Sequence, residues 1–312
     1  MRLATVVSSG RDFVAAVQSE GLLLDLAHAA RLAGLDGSCF ASMQALIEAG
    51  PDGLEAARGL LAAPPAEALV AEALVTFRAP LPRPVRMRDC LAFEAHLRNA
   101  YDQAEKRTGK RYDIPAVWYE QPIYYKCNHL SVIGHGQDTI WPSYSSFMDY
   151  ELEIAVVIGK SGADIPAERA MEHVFGYTIF NDMSARDAQL KETPGQLGPT
   201  KGKDFDTGNI LGPYILTADE VDHPVALDME VRVNGERRGG GNSRDMHHSF
   251  ARIISYLSMS EPLHAGEVIG SGTVGTGCGL EIGRQLAPGD VMELTVERIG
   301  TLRNRIVKPR PG

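Results

Sequence analysis

The stretch Tyr150 to Ile158 (YELEIAVVI) is rich in residues that suit a pleated surface, and it predicts a β-strand. Side chains two apart on a strand share a face, so Glu151 and Glu153 point the same way. Like charges at that spacing, roughly 6 to 7 Å apart at the backbone from two rises of about 3.3 Å, repel unless a cation or a positive side chain sits between them. Taken alone, the pair also fits a solvated strand face. Asp182 weighs against that reading. It lies 29 residues after Glu153 and closes a second apolar run, Gly176 to Asn181 (GYTIFN), where a polar group at a strand end often faces a site.

The rest of the pattern divides the chain in three. Residues 1–62 read as a small N-terminal accessory domain, with short strands at Arg2 to Val7, Phe13 to Gln18 and Leu22 to Leu26, then helical segments at Phe40 to Ala49 and Leu54 to Ala62. Residues 63–84 carry Pro64, Pro65, Pro80, Pro82 and Pro84, each of which disfavours helix at itself and at the residue before it, so this segment reads as a linker. Residues 85–312 form the larger domain. Strand-like runs dominate it, among them Leu227 to Val233, Glu267 to Ile269 and Val291 to Ile299, and Asn234-Gly235 is a strong hairpin turn signal. Helices are expected at Ala167 to Val174 after Pro166, and after Ser184. Ser184 with Asp187 three residues later fits a capping box, a structural reason for Asp187 to exist.

Gly270-Ser271-Gly272-Thr273-Val274-Gly275 satisfies GxGxxG after a strand, but a dinucleotide fingerprint needs a helix to open there. Thr276-Gly277-Cys278-Gly279 is too glycine-rich for that helix. The loop instead suits close approach of backbone to a ligand, and it delivers Glu281 just beyond.

Composition narrows the partners. The chain has 312 residues, 44% of them hydrophobic, enough for a large core. Lys+Arg 31 against Asp+Glu 40 gives a net charge of -9, and without a basic cluster neither nucleic acid nor an anionic membrane is favoured. Small molecules are the expected partners. With no secretory signal and no apolar run of membrane-spanning length, the expected location is the cytoplasm. Cys39, Cys90, Cys127 and Cys278 show no CxxC spacing, which suits a reducing compartment and disfavours structural zinc.

Several pieces together resemble the fumarylacetoacetate hydrolase family: Asp89 and His96 in RDCLAFEAH, Tyr125 in PIYYK, Glu151 and Glu153 in DYELEIAVVIGK, Asp182 through Gln189 in NDMSARDAQ, Lys203 and Thr207 in LGPTKGKDFDT, and Thr273 in GSGTVGTGCGLE. The resemblance runs in order from about residue 85 to the C-terminus. It implies an α+β protein whose catalytic domain is a mixed β-roll or β-sandwich around a divalent metal, often as a homodimer. Glu151, Glu153 and Asp182 would bind the metal, and Asp89 matches a fourth acidic ligand of the fumarylacetoacetase branch. An all-oxygen set favours Mg²⁺, with Mn²⁺ or Ca²⁺ as alternatives, over zinc.

By the same resemblance, His96 is the general base and Glu281 the acid that orients it, while shorter relatives place a glutamate where this chain has Asn99. Alone, His96 also reads as a packing residue and Lys203 as a solvated loop lysine. Tyr125, Gln189, Lys203 and Thr273 match positions that hold substrate, and Gly195 to Gly208 could close as a lid. The implied reaction is metal-dependent hydrolysis of a carbon–carbon bond in a 1,3-diketo acid, His96 activating water. Departures bear on the substrate: Leu91 and Thr193 stand where that branch has tyrosines, and its substrate arginine falls at Glu105, beside Lys106 and Arg107. The pocket is therefore expected to take a shorter acylpyruvate or another diketo acid as readily as fumarylacetoacetate. Decarboxylation, isomerisation or dehydration of a 2-oxo acid at the same site stays open, as does a non-catalytic metal-stabilised binding protein.

Overall fold

The computed structural model describes residues 1–308. Among them, strands form three sheets of twelve, five and two members, with helices packed against them in a mixed α/β arrangement. The strand Leu152–Ile158 sits in the middle of the largest sheet, and all seven of its residues are buried. Burial on both faces explains its unbroken apolar run. Leu152, Ile154, Val156 and Ile158 face one hydrophobic core, whereas Ala155 and Val157 face another together with Phe175, Phe180 and residues of the N-terminal helices. By the two-residue period Glu153 belongs to that second face.

Four strands around this centre set the site. Val174–Asp182 pairs antiparallel with Leu152–Ile158, matching Glu153 with Phe180. On the other side runs Glu267–Gly270, and Arg86–Cys90 lies beyond it, parallel, with Asp89 opposite Gly270. Tyr124–Lys126 closes that edge and sets Tyr125 opposite Asp89. Acids far apart in sequence therefore come to neighbouring strand ends.

The N-terminal strands Arg2–Ser8, Arg11–Ser19 and Leu22–Asp25 extend the same sheet, because Arg2–Ser8 pairs with Asn209–Thr217. A helix at Leu26–Leu32, absent from the sequence reading, starts where the Asp25 side chain accepts from the His28 amide at 3.0 Å. Met43–Ala62 joins the two expected helical segments, apart from residues 40–42, where Phe40 closes a 3₁₀ turn at Ser38–Phe40, and it breaks at Gly50, whose φ is 58° and which Pro51 follows. The proline-rich segment 63–84, expected as a linker, carries short strands at Leu69–Ala71 and Thr76–Phe77 that pair onto Leu22–Asp25 and Arg2–Ser8.

The five-stranded sheet contains Asp228–Val233, Glu236–Asn242, Val291–Val296, Gly300–Val307 and Asp138–Ile140. Asn234 and Gly235 both have positive φ, as a tight two-residue hairpin requires. Ala167–His173 is helical as expected, but 3₁₀ rather than α.

The capping box at Ser184 is corrected. Ser184–Ala185 is extended because it pairs with Met148–Asp149, and the Ser184 hydroxyl donates back to the Asp182 carbonyl. Asp187 instead accepts from the Ser145 hydroxyl at 2.6 Å and from the Ser146 amide at 2.7 Å, fixing that loop to the helix Arg186–Glu192.

Candidate active site

Asp89, Glu153 and Asp182 are all buried, and each offers a carboxylate oxygen within 4.8 Å of the other two. The decoy glycine motif explains how they fit. A Cβ on Gly270 would lie 2.3 Å from Asp89 Oδ1 and 2.8 Å from Glu153 Oε2, so only glycine leaves room for both acids. Two residues on, the Gly272 amide lies 3.1 Å from each of the same two oxygens and donates to them. Thr273 adds a longer bond of 3.5 Å to Glu153 Oε1, and Tyr125 donates its hydroxyl to Asp182 Oδ2 at 2.7 Å.

Glu151 is buried too, which removes the solvated-face reading, yet its carboxylate lies outside the three-acid group. It is paired with cations. Lys203 Nζ lies 2.5 Å from Glu151 Oε2 and 2.5 Å from Asp182 Oδ2, and Arg186 donates to Glu151 Oε1 at 2.7 Å. Lys203 is therefore no solvated loop lysine: it is buried at the end of the short helix Thr200–Lys203. Of the expected lid, the rear is pinned by this contact, whereas Leu197 in its front half is 92% exposed.

Arg186 and Asp149 are the residues the sequence reading passed over. Asp149 is fully buried; its Oδ2 accepts from Arg186 Nε at 2.9 Å and from the Leu280 amide at 2.9 Å, and its Oδ1 from the Gly279 amide at 2.8 Å. It thereby ties the turn that carries Glu281 to the arginine that holds Glu151. Gln189 joins through Arg186, which donates to its side-chain oxygen at 3.0 Å. An arginine inside NDMSARDAQ, between residues already matched to a site, was the available signal.

His96 lies in the first turn of the helix Glu94–Thr108, and its Nδ1 is 2.9 Å from Glu281 Oε1, both residues buried. Glu281 Oε2 is held by Asn99 at 2.8 Å and by the Thr276 amide at 2.7 Å. Asn99 thus helps fix the carboxylate that pairs with His96.

The electrostatics follow from burial. Five buried acids, Asp89, Asp149, Glu151, Glu153 and Asp182, face two buried cations, Arg186 and Lys203, leaving an excess of three negative charges (five minus two) when all are ionised. Burial pushes Asp89 up to about 6 and Asp182 up to about 7, and burial together with the neighbouring Asp89 pushes Glu153 well above the usual carboxylate range. Glu151 goes the other way. Burial opposes its charge, but Arg186, Lys203 and His96 hold it well below that range. The shortage of positive charge thus favours the protonated form of Asp89, Asp182 and Glu153.

A divalent ion fits that shortage. The donors are carboxylates, and Asp182 Oδ1 is buried without a hydrogen-bond partner. Oxygen donors of this kind suit a hard cation. Two surface clefts of about 540 and 440 Å³, lined among others by Glu230 and Arg237 and by Arg2 and Tyr214, contain none of these residues. The four cysteines are free, and among the described residues no helix is long and apolar enough to cross a membrane.

A mixed sheet that gathers buried acids at neighbouring strand ends beside a histidine–glutamate pair defines an enzyme fold with a polar centre short of positive charge. Residues 87–307 match the fumarylacetoacetate (FAA) hydrolase C-terminal domain, and the chain belongs to that family. It is 39% identical over 236 residues to oxaloacetate tautomerase YisK of Bacillus subtilis (strain 168), covering 74% of this chain and 73% of that protein. Among solved structures, a fumarylacetoacetate hydrolase from psychrophilic Exiguobacterium antarcticum superposes with a TM-score of 0.75 at 27% identity, covering 99% of this chain and 100% of that one. A 5-carboxymethyl-2-hydroxymuconate delta-isomerase from Mycobacterium smegmatis gives 0.72 at 26% identity, with coverage of 99% and 100%. The three names span a tautomerase, a hydrolase and an isomerase.

Proposed function

We propose that this chain is a divalent-metal-dependent hydrolase that cleaves a carbon–carbon bond in a 1,3-diketo acid of the acylpyruvate kind, with Mg²⁺ as its ion and Mn²⁺ as a substitute. The observation that carries this reading is the buried His96–Glu281 pair at 2.9 Å, next to acids that need a cation. Asp89, Glu153 and Asp182 would hold the ion, with Glu151 as the fourth acid. When bound, the ion supplies Lewis-acid polarisation of substrate oxygens.

Glu281 accepts the Nδ1 proton in this assignment and leaves Nε2 as the free ring nitrogen, the tautomer being inferred from the hydrogen bond. His96 Nε2 takes a proton from water, and the hydroxide attacks the carbonyl carbon. As the carbon–carbon bond breaks, its electron pair stays with the departing carbon, to which His96 returns the proton. Lys203, Tyr125, Gln189 and Thr273 orient the substrate carboxylate and keto groups. The N-terminal unit acts as an accessory layer, and the enzyme works as a cytoplasmic homodimer; the unpaired cysteines and the family resemblance support this part.

A second reading is carried by the relative named as an oxaloacetate tautomerase. In it His96 moves a proton between the carbon and oxygen of an enol without cleaving a bond. The test is a substrate panel of acylpyruvates, fumarylpyruvate, fumarylacetoacetate and oxaloacetate with Mg²⁺ or Mn²⁺, for the native protein and His96→Ala. Appearance of two acids that depends on His96 supports the hydrolase. Enol–keto exchange of oxaloacetate alone supports the tautomerase, and no turnover with metal retained sinks both.

A further inference from the structure

We propose that His96 Nδ1, Glu281 Oε1 and Cys278 Sγ form a second, inhibitory metal site, selective for thiophilic divalent ions such as zinc, beside the catalytic acids. The three donor atoms lie within 4.8 Å of one another, on residues that are all buried. Glu281 Oε1 is central: it is 2.9 Å from the imidazole nitrogen and 3.4 Å from the thiol. Donors around a tetrahedral zinc ion with bonds of about 2.0 to 2.3 Å stand roughly 3.3 to 3.6 Å apart. The thiol–carboxylate spacing already has that value, and the imidazole–carboxylate pair needs to open by a few tenths of an ångström.

The carboxylate is held for this role. Its other oxygen is fixed by Asn99 and the Thr276 amide, which keeps Oε1 aimed between the other two donors. The chemistry of the set differs from that of the neighbouring acids: nitrogen, sulfur and oxygen together select zinc-like ions, whereas the all-oxygen cluster selects hard ones. Cys278 has no part in the proposed hydrolysis, yet its backbone bridges to that of Glu151, so the two sites share a wall.

Loading changes the proton inventory without any redox step. A thiolate is the form that binds the metal, so the arriving cation displaces the Cys278 thiol proton to solvent. Coordination at Nδ1 displaces the proton shared with Glu281, and the neutral imidazole then carries its hydrogen on Nε2. That nitrogen can no longer accept a proton from water. This consequence, inhibition, rests on the role proposed for His96, whereas occupancy of the site does not.

The experiment uses the full-length protein loaded with excess Mg²⁺. Zinc or cobalt is added in increments, bound metal is counted after gel filtration, and the cobalt form is read for thiolate-to-metal charge-transfer absorption. The expected result is one further ion per chain, a thiolate band, and loss of activity that excess Mg²⁺ does not reverse. Cys278→Ala should abolish the band and weaken retention about 10- to 100-fold, the scale on which even residues behind the ligands act. Cys278→Ser, the closer isostere, serves if the alanine variant does not fold, and it too should lose the band. A further ion that excess Mg²⁺ expels, or a cobalt spectrum without a thiolate band, overturns the proposal even if the hydrolase reading stands. Tight, thiolate-bound metal in a protein without turnover would support the site while removing the proposed function.

Discussion

Lys203 Nζ lies 2.5 Å from Glu151 Oε2, across 52 positions of sequence, and the same nitrogen meets Asp182 Oδ2 at 2.5 Å. The lysine is a fixed cation between two acids of the candidate site. Burial works against its charge, but Asp182 and Glu151 hold its pKa above the ordinary lysine value. Lys203→Met keeps the volume but leaves Asp182 without a cation and Glu151 with Arg186 alone, and removing one partner of a buried pair costs about 3 to 5 kcal/mol. Denaturant unfolding of the metal-free protein should show that loss. Added Mg²⁺ should restore more stability to the variant than to the native protein, because the ion takes over the ammonium's charge. A loss below about 1 kcal/mol, the size of a surface pair, would show that the three groups are not coupled.

Glu153→Gln should have opposite effects on two measurements. Burial and the adjacent Asp89 make the Glu153 charge costly, so a neutral isostere removes a penalty that the metal-free protein carries. Its melting temperature should rise. Divalent-ion retention, measured by elemental analysis after dialysis, should fall because one of three converging carboxylates is lost. Unchanged retention would remove Glu153 from the ligand set.

At the proposed metal site, protons and the ion would compete for the same oxygens, which gives the pH dependence a definite sign. In the metal-free fold Asp89 titrates at about 6 and Asp182 at about 7, both raised by burial from an ordinary 3.8. Between pH 4 and 7 the folded state therefore binds more protons at these groups than the unfolded chain, so their contribution to stability is full below pH 4 and is lost as pH rises through 6 to 7. Mg²⁺ needs the ionised acids. The rise in melting temperature that saturating Mg²⁺ produces should grow from pH 5 to pH 8, and a rise that is flat over that range contradicts the site.

The legible parts of this protein were those with a local signature. The apolar run ending at Ile158 and the one before Asp182 are continuous because both strands are buried on two faces, so they stood out as strands. The strand Asn209–Thr217 did not, since Gly212 and Pro213 argue against a central strand; Gly212 lies at the register shift against Val174–Asp182, where the ladder is already interrupted. His96 and Glu281 are 185 positions apart, and their pairing was accessible only through family resemblance. Asp149 and Arg186 meet because Met148–Asp149 pairs with Ser184–Ala185. That two-stranded ladder has no sequence signal of its own, and its serine looked like a helix cap.

Gly272 tests whether backbone, as well as side chains, builds the site. Its φ is +80°, a region that L side chains rarely adopt, and a Cβ there would lie 2.5 Å from the Cys90 carbonyl and 2.9 Å from Leu91 Cα. Both obstacles are backbone, so the loop must move. Moving it pulls the Gly272 amide from Asp89 and Glu153, the two acids it bridges. Gly272→Ala should therefore cost about 1 to 3 kcal/mol, the range of a strained backbone position, and should weaken Mg²⁺ binding in the same variant. Gly195 is the control: it has open space around its Cβ position and no positive φ, so Gly195→Ala should leave Mg²⁺ affinity and stability within about 0.5 kcal/mol of the native protein. Calorimetric titration of Mg²⁺ into both variants reads the difference. Equal affinities would mean that the glycine loop only fills space and that the acids hold their positions without it.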